Sequence, residues 1–336
     1  MAENSKIEWT EATWNPIVGC SIVSPGCTNC YAMKMAARIE AMWRAGSIDE
    51  NGYGVRPAPG AKSLDRYSGL TRKVNGNAVW TGKLARAPGH VWSTPLLKRK
   101  PTTYFVNSMG DLFHEDCPDD WILDALTVMA GASNHTFQVL TKRAARMREF
   151  MSRPGLLEDI YANWHGYCST PAEVEAWPLP NVWLGVSAER QQEADERIPD
   201  LLATPAAVRF VSYEPALGPL KLWEWDKDEG ALRGVGVVLS GGMTASTPDA
   251  LPEGYDDSYP GIDWVICGGE SGPNARPMDP EWARSVRDQC TMLEVPFFFK
   301  QWGAWRNGIT RVGKAAAGRI LDGREWNEMP IMEATP

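Results

Sequence analysis

The chain has 336 residues, 43% of them apolar, and its 34 Lys/Arg against 42 Asp/Glu give a formal net charge of −8. That length and apolar content allow one large α/β domain or two ordinary ones with a substantial core. No apolar run approaches the ~18 residues needed to cross a membrane. With no apolar signal region at Met1–Lys6 and an odd count of seven cysteines, the expectation is a cytoplasmic protein with reduced thiols and no membrane partner.

A first strand is predicted within residues 12–18, and it feeds a loop carrying Cys20, Cys27 and Cys30 in the spacing C-x6-C-x2-C. The next cysteine is Cys117. A [4Fe-4S] cluster normally takes four thiolates, so three would leave one iron open to another ligand. Gly19, Pro25 and Gly26 permit tight turns, while Ser21, Ser24, Thr28 and Asn29 can donate to sulfur. A structural zinc site completed by a distant residue, or unrelated buried thiols, are the alternatives. Zinc sites usually come as two close pairs, and His90, His114, His135 and His165 are scattered.

A helix is predicted over about 30–45, where Met33, Ala36, Ala37, Ile39, Ala41 and Met42 recur on one face. A basic Gly/Pro-rich insertion follows over 46–100. Residues 51–100 hold ten Lys/Arg and one acid, Asp65, so this stretch is +9 and the rest of the chain −17. Tyr53, Tyr67, Trp80, His90 and Trp92 are interleaved with these charges, which suits phosphate contact plus base stacking. Arg72, Lys73, Lys98, Arg99 and Lys100 are the candidate DNA-binding residues; a solvated loop that balances an acidic protein is the alternative reading.

Further strands read at Thr103–Asn107, Thr136–Leu140, Val182–Val186, Arg209–Ser212, Asp263–Cys267 and Pro296–Phe299, with helices near 119–131, 142–152, 188–203 and 280–293. Six or seven βα units imply a partial or complete barrel, whose chemistry would lie at the carboxyl ends of the strands. Polar groups follow each strand: Ser108–Asp111, Lys142, Ser187 to Arg190, Glu214, Glu270, and Lys300 with Gln301. Cys267 could donate a hydrogen atom, or be an inert buried thiol like Cys117, Cys168 and Cys290. Residues 223–261 form an acidic insertion and 304–336 a terminal appendage. The Gly268–Gly272 run lacks the G-x-G-x-x-G register of a dinucleotide site.

Trp14-Asn15-Pro16-x-x-Gly19-Cys20, Cys27-x-x-Cys30-Tyr31-Ala32, Leu184–Glu189, Glu214-Pro215, and Ile266–Gly272 through Phe299–Gly303 together resemble the phage-associated three-cysteine-motif proteins of the radical SAM superfamily. The superfamily commonly spaces its cysteines C-x3-C-x2-C with an aromatic before the last, whereas here the first gap is longer, Asn29 holds that place and the aromatic is Tyr31. The resemblance implies an α/β fold, a partial (β/α)6-7 barrel of radical SAM type spanning 1–303, and a [4Fe-4S] cluster on Cys20, Cys27 and Cys30 with S-adenosyl-L-methionine (SAM) on the open iron. It puts the SAM amino group near Ser108, Gly110 and Asp111, and the ribose near Ser187 and Glu189. Lys142 or Arg190 would pair the carboxylate, Tyr31 would flank the cluster, and Glu214, Glu270, Lys300 and Cys267 would lie on the substrate side. It further implies an external electron donor and, from the gene clusters of relatives, isomerisation of a glycyl-modified thymidine in DNA. A lesion-repair lyase and a non-catalytic zinc or iron-sulfur nucleic-acid-binding protein are the alternatives.

Overall fold

Seven short runs rich in Val, Ile, Phe and Trp become parallel strands, and amphipathic segments between them become helical crossovers. The computed structural model describes residues 5, 7–45, 65–167, 176–222, 224–226, 231–233 and 261–331. Residues 46–64 of the basic insertion, with Tyr53, Arg56 and Lys62, lie outside the described residues, as do Cys168 and most of the acidic insertion. The chain divides into two compact units, one of residues 1–140 and 153–181, the other of 141–152 and 182–336.

In the first unit, strand β1 (Ala12–Trp14) pairs in parallel with β6 (Thr103–Val106), and β6 with β7 (Thr136–Thr141). Between β1 and β6 come β2 (Ile17–Val18), helix α1 (Tyr31–Ala45), the hairpin β3 (Thr71–Val74) with β4 (Asn77–Trp80), β5 (Ala85–Arg86), and short helices α2 (Gly89–Trp92) and α3 (Thr94–Leu97). Helix α4 (Asp119–Gly131) links β6 to β7; Asp119 and Asp120 in its first turn complement the helix dipole, and Ile122, Leu126 and Met129 are fully buried. After α5 (Ala144–Met151), which belongs to the second unit, α6 (Leu156–Tyr167) packs on α4. Trp14 sits at the centre, edge-on to Trp92 and Phe137, with its indole donating to the Val91 carbonyl at 2.9 Å.

The basic insertion is partly structured rather than a loop. Tyr67, Leu70 and Trp80 close over Met33 and Ala36 of α1, joining the β3–β4 hairpin to the helix behind the cysteines. Its turn, Asn75-Gly76, has positive φ at both residues, the geometry that an Asn-Gly pair favours between antiparallel strands.

The second unit holds four parallel strands, β8 (Val182–Ser187), β9 (Val208–Tyr213), β12 (Trp264–Gly268) and β13 (Phe297–Gln301), in that order. Helix α7 (Gln191–Leu202) packs on β8 and β9, and α8 (Pro280–Met292) on β12 and β13. Burial of all six residues of β8 fits a strand covered on both faces. Helix α8 starts where the sequence says it should: Asp279 caps the Glu281 amide at 2.9 Å and Pro280 occupies the first turn. The small pairs β10 (Glu224–Asp226) with β11 (Ala231–Arg233), and β14 (Trp305–Arg306) with β15 (Thr310–Arg311), precede the last helix, α9 (Lys314–Ala317). The coarse expectation of an α/β chain of parallel βα units is what the structure has.

Candidate functional site

The cysteine loop leaves β2 and turns back at Gly19, whose φ of +101° and close approach to the Lys83 carbonyl leave no room for a side chain. Cys20 and Cys30 are half-buried against the apolar cluster of Val18, Ala32, Met33 and Met109, and Cys27 is buried with its sulfur 3.7 Å from the Ser24 hydroxyl. None of the three is in a disulfide. In kind this donor set suits an iron-sulfur cluster: three thiols on one short loop, an apolar wall, and nearby hydroxyls. Among the described residues, however, no three His, Cys, Asp or Glu side chains stand together as a metal-ligand set.

The segment after β6 is bound directly to this loop. The Gly19 amide donates to the Met109 carbonyl at 3.0 Å, and Asn15 Oδ1 accepts from the Met109 amide at 2.9 Å and the Ser108 hydroxyl at 3.1 Å. Tyr31, the residue after Cys30, donates its hydroxyl to the Ser108 carbonyl at 2.8 Å. Gly110 lies so close to Gly19 and Ile17 that a Cβ there would press on their carbonyls. Asp111 is buried and caps the Phe113 amide at 3.0 Å, so one of its oxygens stabilises the turn. Fully buried His114 contacts the Ser21 hydroxyl at 2.9 Å, and Ser21 donates to Glu115 at 2.8 Å, tying the same segment to the residue after Cys20. The sequence alone does not point to these contacts of Asn15, His114 and Ser21, because each requires the β1–β6 pairing.

In the second unit, one sheet face carries Trp183, Phe210, Trp264 and Phe298 in mutual contact, followed along the strands by Ser187, Ser212, Gly268 and Lys300. Cys267 pairs with Phe299 and Gly268 with Gln301, so Lys300 is the extra residue of a bulge, a device that re-aims a side chain. Its ammonium lies 3.1 Å from Glu214, whose same oxygen accepts from the Ser212 hydroxyl at 3.3 Å. A Cβ on Gly268 would overlap Glu214 Oε1, so the absence of a side chain there makes room for the pair. Both side chains retain some exposure, 13% for Glu214 and 19% for Lys300.

Glu189 is fully buried between Lys142 and Arg197, with Arg197 also donating to the Ser187 carbonyl at 2.7 Å. Arg190 turns away to Glu193, whose hydrogen bond and charge raise the guanidinium pKa further. Lys142 and Arg190, the two residues expected to pair the carboxylate of SAM, are paired here with Glu189 and Glu193. Glu270 is clasped by Arg276 through two guanidinium bonds of 2.9 and 2.5 Å and through its amide at 2.8 Å. Gln301 bonds the Gly269 carbonyl at 2.9 Å and accepts from the Gly303 amide, closing the Gly268–Gly272 turn against β13. Cys267 is wholly buried on the face opposite Lys300, and burial pushes its thiol pKa well above the ordinary value. The same holds for Cys290, and both fit inert core thiols.

Of the candidate nucleic-acid residues, Arg72 and Lys73 are exposed on the β3–β4 hairpin, and Arg99 and Lys100 are exposed just before β6. Lys98 is half-buried, 5.7 Å above the Tyr104 ring. The chain matches no curated protein and no solved structure. One family model matches residues 4–330, nearly the whole sequence, and the chain therefore belongs to the family it describes as "Protein of unknown function (DUF5131)".

Proposed function

We propose that this chain is a radical SAM enzyme acting on a nucleic-acid base, most concretely an isomerase of a glycyl-modified thymidine in DNA, built on a partial barrel of that superfamily's type. The observation that carries the reading is the direct tie between the three-cysteine loop and the segment after β6, through Gly19–Met109, Asn15–Met109 and Tyr31–Ser108. The resemblance assigns these two segments to the cluster and to the amino end of SAM, and they would have to be neighbours. A reduced [4Fe-4S] cluster held by Cys20, Cys27 and Cys30 would supply the electron for reductive cleavage of SAM to a hydrogen-abstracting radical.

Within this reading, Cys20, Cys27 and Cys30 hold the iron, and Ser108, Gly110 and Asp111 offer backbone and side-chain oxygen to an ammonium. Tyr31 fixes the Ser108 carbonyl for that role. Arg197 and Lys142 orient the Glu189 carboxylate, and Ser187 lies beside it as a hydroxyl for a ribose. Glu214 and Lys300 form an anion–cation couple suited to a substituent that is itself an amino acid, with Ser212 orienting the carboxylate. Glu270, held by Arg276, and Cys267 act in this scheme through the shape of the site. Arg72, Lys73, Lys98, Arg99 and Lys100 would meet DNA phosphates. A separate electron donor is required.

The test is anaerobic reconstitution with iron and sulfide, reduction, and incubation with SAM and DNA carrying the glycyl base. Release of 5′-deoxyadenosine together with a nucleoside of unchanged mass and altered retention is the expected result. Formation of 5′-deoxyadenosine with the modified nucleoside untouched would leave the radical chemistry standing and remove the substrate; no iron uptake would remove both.

A further inference from the structure

We infer that the β3–β4 hairpin is a groove-binding ribbon for duplex DNA, with Arg72 and Lys73 at the phosphates and Val74, Asn75 and Asn77 at the base edges. This deepens the proposed function, and rests on it for the choice of DNA as partner. Three observations carry it. Strand register puts Arg72, Val74, Asn77 and Val79 on one face and Thr71, Lys73, Ala78 and Trp80 on the other, and Ala78, Val79 and Trp80 of the second strand pack with the apolar cluster over α1. The ribbon is thus anchored through its second strand and open along the run from Arg72 to Asn77.

Second, the end of the ribbon is exposed from Arg72 through Asn77, and it includes an apolar residue, Val74, at 40% exposure. A two-stranded ribbon fits the DNA major groove, which is about 12 Å wide, and asparagine and apolar side chains are the groups that contact base edges there. Third, neither Arg72 nor Lys73 makes an ion pair with a described residue. Elsewhere in the acidic chain Arg86, Arg148, Arg197, Arg276 and Arg287 are each met by a carboxylate. Two cations without an ion pair among the described residues, on an exposed ribbon of a protein of net charge −8, are complementary to a polyanion.

The experiment is fluorescence anisotropy of the full chain with a labelled duplex and with its single strand, across a salt series. The R72A/K73A variant should lower the slope of log K against log salt by about two units, one for each lost phosphate contact. V74D should weaken duplex binding at least tenfold and affect the single strand less, since a carboxylate at the tip is repelled inside a groove. N75G, which keeps a turn residue tolerant of positive φ but deletes the amide, should weaken the duplex severalfold. K314A, an exposed lysine of the second unit, is the charge control. An R72A/K73A slope equal to that of K314A, or a V74D duplex affinity equal to wild type, would overturn the inference. The assay needs neither cluster nor SAM. Ribbon-dependent duplex binding without iron uptake would therefore sink the enzymatic reading alone, and SAM cleavage with an inert ribbon would sink this one alone.

Discussion

Tyr31 follows Cys30 directly, and its hydroxyl donates to the backbone carbonyl of Ser108, 77 residues later, at 2.8 Å. The bond links the start of α1 to the loop leaving β6, so the last cysteine of the motif is held to the end of the neighbouring strand. Tyr31→Phe should leave the fold intact, because the residue is 51% exposed, yet loosen this link. The expected outcome is wild-type melting with iron retained and a several-fold rise in the concentration of SAM needed for half-maximal 5′-deoxyadenosine formation.

Single substitution of Cys20, Cys27 or Cys30 by alanine should each reduce iron content after reconstitution to background, since a three-thiolate site has no ligand to spare. Cys117→Ala is the control; it is buried beyond His114 and should retain iron at some cost in stability. Iron analysis of the four variants decides it, and near-normal iron in any of the first three ends the ligand assignment.

Gly268→Ala introduces a methyl that overlaps Glu214 Oε1 and crowds the base of Lys300. Overpacking of this kind costs about 1–3 kcal/mol, measurable by urea denaturation. Because the displaced group is Glu214, turnover should fall more than stability predicts. Glu214→Gln, which keeps the shape and removes the charge, should reproduce the loss of turnover with little loss of stability.

Arg197→Met should destabilise the fold by about 3 kcal/mol or more, because it withdraws a buried partner from the fully buried carboxylate of Glu189. Lys142→Met should cost less, since Arg197 and its bond to the Ser187 carbonyl remain. Equal destabilisation by the two would show that the pair with Lys142 matters as much as Arg197 with its second bond.

Burial raises the thiol pKa of Cys267 and of Cys290, so both stay protonated in the native protein at neutral and mildly alkaline pH. Iodoacetamide followed by peptide mapping should label Cys20 and Cys30 of the metal-free protein and spare Cys267 and Cys290 until denaturant is added. Labelling of native Cys267 would reopen a role for it as a hydrogen-atom donor.

Strand and helix order was legible in the sequence because each parallel strand is a short apolar run and each crossover an amphipathic one. The predicted and observed spans of the strand at Thr136, the helix at 119–131 and the helix at 280–293 differ by at most a residue or so. Helix α6 was missed although Leu156, Ile160 and Trp164 recur at fourfold spacing and are buried. The hairpin at Thr71–Trp80 lies in the basic insertion, where the sequence reading places no strands; Asn75-Gly76 is the signal that points to it.

By itself, then, the sequence determined the alternation of elements, the three closely spaced thiols, the polar residues at strand ends and the basic stretch, because each is a local matter of periodicity, spacing or charge. Tertiary structure alone decided which of those polar residues are already committed. Glu189 and Glu270 look alike in sequence as carboxylates after strands, but Arg197 and Arg276 clasp them, and those partners are brought in by helix α7 and by a turn of the chain. Glu214 and Lys300, 86 residues apart, meet because a bulge in β13 and a missing side chain at Gly268 let them. Such pairings depend on strand register and on the space between side chains, and neither is written in any local stretch of sequence.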